Sequence, residues 1–207
     1  MFANKTQLEE AIDLWISNET NATNTYGDIN DWDVSAINDF SELFKNKTTF
    51  NSDISGWDVS NGISFESMFE GATSFNQNIG SWQVGSGTTF WRMFYDAESF
   101  NQDISGWDVS NGTNFLSMFN SAKSFDQNIS YWAISDSASL TRMFSDLMVS
   151  SQGFNSTPTA SEFGRTRITD RSSLDTAITA WIADETSATE IYGDINAFRI
   201  ERPSLFT

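Results

Sequence analysis

Carboxylates and amides recur along this chain at a fixed step. Asp28, Asp53, Asn78, Asp103 and Asn128 stand 25 residues apart, and Asn51, Asn76, Asn101 and Asp126 form a second column two residues ahead of the later four. Side-chain oxygens stacked one chain spacing apart could hold Ca²⁺, a hard ion that takes about six to eight oxygen ligands. The candidate ligands are Asp28, Asp53, Asp103 and Asp126. The same columns also fit a ladder of Asn and Asp that caps backbone amides at a corner of each copy. No complete Asp-x-Asp-x-Asp-Gly loop is present.

A third polar column reads Asp33, Asp58, Gln83, Asp108 and Ala133. Beside it run Ser35, Ser60, Gly85, Ser110 and Ser135, and on its other side Asp31, Gly56, Ser81, Gly106 and Tyr131. The candidate binding residues are Asp33, Asp58, Gln83, Asp108, Ser60, Ser110 and Tyr131. They would meet a basic or hydroxyl-rich ligand; the alternative is a solvated face. Histidine and cysteine are both absent, which removes imidazole bases, imidazole-based triads and thiolate chemistry. Repetition also argues against catalysis, because a catalytic site is normally unique along a chain. The expectation is a protein that is not an enzyme, with no cofactor beyond that Ca²⁺.

Apolar residues keep the same step. Trp32, Trp57, Trp82, Trp107 and Trp132 form one column, Ile29, Ile54, Ile79, Ile104 and Ile129 another, and Phe44, Phe69, Phe94, Phe119 and Phe144 a third. Self-similarity at this period marks one small unit copied and stacked. The Trp rings point inward as core or offer flat faces to sugars.

Within the copy from Asn51 to Phe75, Ile54, Trp57 and Val59 have the spacing of a short inward-facing strand. Asn61-Gly62 reads as a turn in which Gly supplies positive φ. Phe65, Met68, Phe69 and Ala72 fall at i, i+3, i+4 and i+7, one face of a short helix. The predicted fold is therefore α/β: a right-handed leucine-rich-repeat-like solenoid with a parallel β-sheet, short helices on the other face and helical caps.

The text FNQDISGWDVSNGTNFLSMFNSAKSF, Phe100 to Phe125, resembles the BspA-like pseudo-leucine-rich repeats of surface proteins of unknown function from mycoplasmas and other bacteria. The resemblance covers about residues 26–154 and implies a surface-exposed binding or adhesion module with no catalytic residue to carry over. Relatives usually read W-D-V-S-N-V-T-x-M. Here Gly62, Gly87 and Gly112 replace the apolar residue after Asn or Ser, and Phe65, Phe90 and Phe115 replace the Met, which implies a looser or re-packed turn.

The 207 residues suffice for one domain with its own core. A net charge of −17 disfavours nucleic acid and anionic lipid and favours basic partners or cations. No run of about 18 apolar residues spans a membrane. The first residues, Met1 to Lys5, lack a signal-peptide apolar region, so the chain is expected to be intracellular or a mature or excised segment. Asn-x-Ser/Thr triplets at Asn4, Asn18, Asn21, Asn46, Asn111, Asn128 and Asn155 lean toward an extracellular setting.

Four regions are expected: a capping helix in 1–25, five repeats in 26–154, a linker in 155–171, and a second helix in 172–207. In the first, Leu8, Ala11, Ile12, Trp15 and Ile16 form the apolar face, with Thr6 and Glu9 as a capping box. In the last, Leu174, Ala177, Ile178, Trp181 and Ile182 repeat that pattern, and Tyr192 to Asn196 copies Tyr26 to Asn30. The chain could thus hold the start of a second module. The expected function is a secreted or cell-surface module for protein or glycan binding and adhesion, its signal or anchor lying outside this chain. The alternative is a structural module that self-associates end to end into a filament or surface layer.

Overall fold

The computed structural model describes residues 2–144 and, beyond them, Pro158, Ile178, Thr179 and Ala183. The expected linker and the second helix lie outside the described residues, apart from Pro158, which is buried, and the helical Ile178, Thr179 and Ala183.

Two short helices open the chain, α1 (Lys5–Ser17) and α2 (Glu19–Tyr26). The cap of α1 lies two residues before the expected one, Thr6. Asn4 is the cap, its Oδ1 accepting the Gln7 N–H at 3.0 Å, so Thr6 lies within the first turn. Leu8, Ala11, Ile12 and Trp15 are buried, whereas Ile16 stays 37% exposed. Asn18 ends α1 and caps α2 by accepting the Asn21 N–H. The buried face of α1 covers the first coil: Trp15 meets Trp32 edge-on at 5.8 Å, and its Nε1 donates to Ser52 Oγ at 2.9 Å. An end coil left bare would expose a layer of core.

From Ile29 onward the chain winds in coils that stack copy upon copy. Phe40, Phe65, Phe90 and Phe115 form one column of nearly parallel rings, 5.3–5.5 Å apart. Phe44, Phe69, Phe94, Phe119 and Phe144 form a second, at 5.3–5.7 Å. Phe50, Phe75, Phe100 and Phe125 form a third, at 5.9–6.0 Å. Offset-stacked aromatic pairs contribute about 0.5–1.5 kcal/mol each beyond their buried area. The core is this set of continuous ring columns.

The β-sheet and the repeat helices of the expected α/β fold do not form. Among the described residues there is no β-strand, only isolated parallel bridges at Asp39–Ser64–Thr89–Asn114–Ser139 and at Phe119–Phe144. The leucine-rich-repeat-like solenoid is therefore corrected to a stack of turn-built coils, whose described residues from Trp32 to Phe144 hold no helix; a single 3-10 turn, Ile29–Asp31, opens the first coil. The hydrogen bonding explains why. At the expected strand, Trp57 N–H turns back to Ile54 O and Ser60 N–H to Asp58 Oδ1, so these donors do not build a ladder between coils. Trp57 and Val59 still point inward and Asp58 outward, which is the part of strand patterning that alternation alone specifies.

At the expected helix, Phe65, Met68, Phe69 and Ala72 are fully buried, as one apolar face requires. A helix would direct each N–H four residues back within its own segment. Here the donors divide. Met68, Glu70 and Ala72 donate to Phe65, Ser67 and Phe69 of the same coil, closing tight turns. Phe65, Ser67, Phe69 and Gly71 donate instead to Thr89, Trp91, Met93 and Tyr95 of the next coil. The resulting ribbon of turns needs left-handed residues, and they recur in two columns: Glu42, Ser67, Arg92, Ser117 and Arg142, and Asn46, Gly71, Asp96 and Ser121.

Gly62 is not among the positive-φ residues, so its role is spatial rather than conformational. A Cβ there would lie 2.5 Å from the Phe65 ring and 2.9 Å from Val59 O, and Gly87 stands in the same relation to Phe90. The Phe65 ring fills the space that a side chain at position 62 would need. Gly and Phe thus form a compensating pair in the three middle coils, at Gly62–Phe65, Gly87–Phe90 and Gly112–Phe115, where the turn is re-packed, not loosened; the first coil instead buries Ile37 together with Phe40.

Candidate functional site

Each tryptophan of the column is between 1 and 4% exposed, so these rings are core and cannot receive a sugar. They also bind neighbouring coils together. Trp57 Nε1 donates to Ile29 O at 2.7 Å, Trp82 to Ile54 O at 3.2 Å, Trp107 to Ile79 O at 3.0 Å and Trp132 to Ile104 O at 3.1 Å. Side-chain N–H groups thus supply the inter-coil bonds at the place where a strand ladder was expected.

The candidate calcium columns are engaged in the same work. Asn51 Oδ1 accepts the Asn76 N–H, Asn76 Oδ1 the Asn101 N–H, and Asn101 Oδ1 the Asp126 N–H, at 2.8–2.9 Å. Gln77, Gln102 and Gln127 each add a side-chain donor to the same amides. Asp28, Asp53 and Asp103 accept from the backbone N–H two residues on, at Asn30, Ser55 and Ser105. These are local turns of the kind Asp and Asn side chains make. Among the described residues no group of three or more acidic side chains could hold a metal ion.

Asp33, Asp58, Gln83 and Asp108 all point outward and are exposed; Ser110 is exposed, and Ser60 and Tyr131 are half-buried. The structure therefore brings the expected binding column onto one side. Ser35 Oγ donates to Asp33 Oδ1 at 2.6 Å, and Ser110 Oγ to Asp108 Oδ1 at 2.7 Å. These serine bonds, with those from the serine backbone N–H groups, hold the carboxyls of Asp33, Asp58 and Asp108 below the ordinary 3.8. The charge of Asp33 works weakly against this at Asp58. The side chain at Gln83 interrupts the column of charge. Next to it, where Gly85 and Gly106 carry no side chain, lies a shallow groove of about 230 Å³, bordered by Ser60, Gln83 and Asp108. No carboxylate pair here is set up as acid and base; the arrangement can present negative charge and hydrogen-bond acceptors along a line.

A second outward cluster lies on the turn ribbon, and the repeat pattern does not point to it. Arg92 sits with its guanidinium carbon 3.9 Å from the Tyr95 ring centroid and 5.9 Å from that of Trp91. Its Nη1 is 3.3 Å from Glu70 Oε1, and Lys45 approaches Glu70 Oε2 to 3.8 Å and pairs with Glu42. Glu70 Oε2 is buried and accepts no hydrogen bond from the described residues. Trp91 stands nine residues after Trp82, off the 25-residue step. That break in period is the signal by which sequence reading could have found the cluster.

The chain matches the family described as "Mycoplasma protein of unknown function, DUF285" in three overlapping stretches, residues 16–114, 63–161 and 91–181. It belongs to that family. The DUF285 matches run across the stacked coils, in keeping with one unit repeated. No curated protein and no solved structure matches the chain. Among the described residues of this DUF285 protein, no helix is long and apolar enough to cross a membrane.

Proposed function

We propose that this protein is a non-catalytic binding or adhesion module, displayed outside the cell or on its surface, that meets a basic partner along the column Asp33, Asp58 and Asp108. The observation that carries this reading is the alignment of these exposed, serine-held carboxylates on one side of the stacked coils. Ligands that span several coils add weak contacts into useful affinity, and long-range attraction speeds their encounter with a chain of charge −17. The resemblance to BspA-like surface repeats supports the setting.

The test uses poly-lysine and a small basic protein as probes. Asp58→Lys combined with Asp108→Lys should weaken binding at least tenfold, and unchanged binding would reject this face. The pH dependence is specific. Lowered carboxyl values mean that charge is present at and above the ordinary carboxylate range and lost only as pH falls through the lowered values. Affinity should therefore stay flat from neutral pH down to about 4 and fall below it.

A second reading, end-to-end assembly into a filament or surface layer, is favoured by the recurrence of the Leu8–Ile16 helix pattern at Leu174–Ile182. Sedimentation of a monomer alone at high protein concentration would dismiss it.

A further inference from the structure

Trp91 and Tyr95 are out of place in their columns. The positions equivalent to Trp91 hold Ser41, Glu66, Leu116 and Thr141, and those equivalent to Tyr95 hold Lys45, Glu70 and Asn120. No other coil places an aromatic ring at either outward position. Both rings are half-buried and so keep part of their surface in solvent. Packing does not account for them, because the core columns are complete without them: Phe90, Met93, Phe94 and Ala97 of the same coil are all fully buried.

The rings are also held. Arg92 lies against both, and Glu70 of the neighbouring coil anchors the guanidinium. A cation over an aromatic face is attracted by its quadrupole, and Arg92 itself is fixed by a left-handed backbone at φ 52°. An ordered aromatic pair loses little side-chain entropy when a ligand settles on it.

The charges of this cluster cancel. Glu42, Lys45, Glu70 and Arg92 form one chain of ion pairs, two acids and two bases. Glu66, in the Trp91 position of the preceding coil, and Asp96, next to Tyr95, lie outside these pairs. An anion would meet those carboxylates with both bases already engaged, whereas hydroxyl groups can donate to them. What suits it is an uncharged ligand with an apolar face for the rings and hydroxyls for the rim. Glu66 and Leu116 hold the Trp91 position on the two adjoining coils, and Asn120 the Tyr95 position on the next coil. We infer that the ribbon around Trp91, Arg92 and Tyr95 is a platform for a neutral carbohydrate, whose ring C–H face stacks on the aromatics while its hydroxyls bond to the polar rim. This rests on the reading of the protein as a binding module, and assigns that function a second surface and a different ligand class from the acidic column.

The test is affinity electrophoresis of the full chain in gels containing a neutral β-glucan, an α-glucan, a mannan or a galactan. At least one polysaccharide should retard the native protein. Trp91→Ala should weaken that retardation at least tenfold, Trp91→Phe should retain part of it, and the Asp58→Lys, Asp108→Lys variant should bind as the native protein does. Tyr95→Ser serves as an independent variant should Trp91→Ala fold poorly by circular dichroism. The inference fails if no neutral polysaccharide retards the native chain, if the folded aromatic variants bind equally well, or if Trp91→Ala instead loses binding to the basic protein probe. Because the two faces are read by different variants and probes, failure here leaves the acidic-column result standing or falling on its own.

Discussion

The corner at Asn51–Trp57 and the ribbon at Phe65–Gly71 join the same two neighbours of a coil by opposite means. At the corner, side chains make the junction: Asn76 and Asn101 accept backbone N–H groups from the following coil, and indole N–H groups reach back to Ile carbonyls. On the ribbon, the backbone makes it: alternate N–H groups donate directly to the next coil. The consequence is written in composition. Where side chains join coils, their identity repeats almost without change from Trp32 to Trp132. Where the backbone joins them, the outward side chains are free to differ, as Ser41, Glu66, Trp91, Leu116 and Thr141 do. On the corner, regularity marks the joints; on the ribbon, departures from it mark side chains that the joints leave free.

The contrast is broken most severely by truncating a corner. Trp82→Ala should destabilise the protein by about 3–5 kcal/mol through loss of the buried ring and remove the inter-coil donor to Ile54 O, which keeps only its local Trp57 N–H, whereas Glu66→Ser, at a ribbon position, should stay within about 0.5 kcal/mol. Urea unfolding of the two variants measures the difference, and equal losses would dissolve the distinction. A smaller effect is expected at the compensating pair. Gly87→Val should cost about 1–3 kcal/mol by overpacking against the Phe90 ring, and Phe90→Met in the same chain should recover most of it. A double-mutant cycle with no coupling would mean that ring and glycine do not share one space. The smallest change sharpens the ribbon side. Ser121 has φ 62°, in the column where Gly71 already stands. Ser121→Gly should raise the thermal midpoint slightly, by up to about 1 kcal/mol in stability, because glycine relieves the left-handed penalty while giving up some unfolded-state entropy. A lower midpoint would mean that the Ser121 side chain contributes more than its backbone costs.

Much of the inner surface was legible. The Trp, Ile and Phe columns were identifiable by step alone, and every one of their members among the described residues is buried. The outward placement of Asp33, Asp58, Gln83 and Asp108 followed from alternation around the tryptophan. The choice between a sheet with helices and a ribbon of turns was not legible at all. Phe65, Met68, Phe69 and Ala72 at i, i+3, i+4 and i+7 face one way on a helix and also on consecutive turns, so the spacing cannot separate them. Nor did the residues at the left-handed positions announce themselves, because only Gly71 of the nine is a glycine.

What the residues determined by themselves is which side chains must be covered and at what interval: a 25-residue step of large apolar groups has no way to shield itself within one copy, so copies must stack. What only the tertiary structure decided is how the peptide groups pair once they have stacked. A backbone N–H is chemically the same at every residue, and whether it closes a turn at home or crosses to the next coil depends on where that coil's carbonyl stands. Side-chain spacing carries no information about that placement.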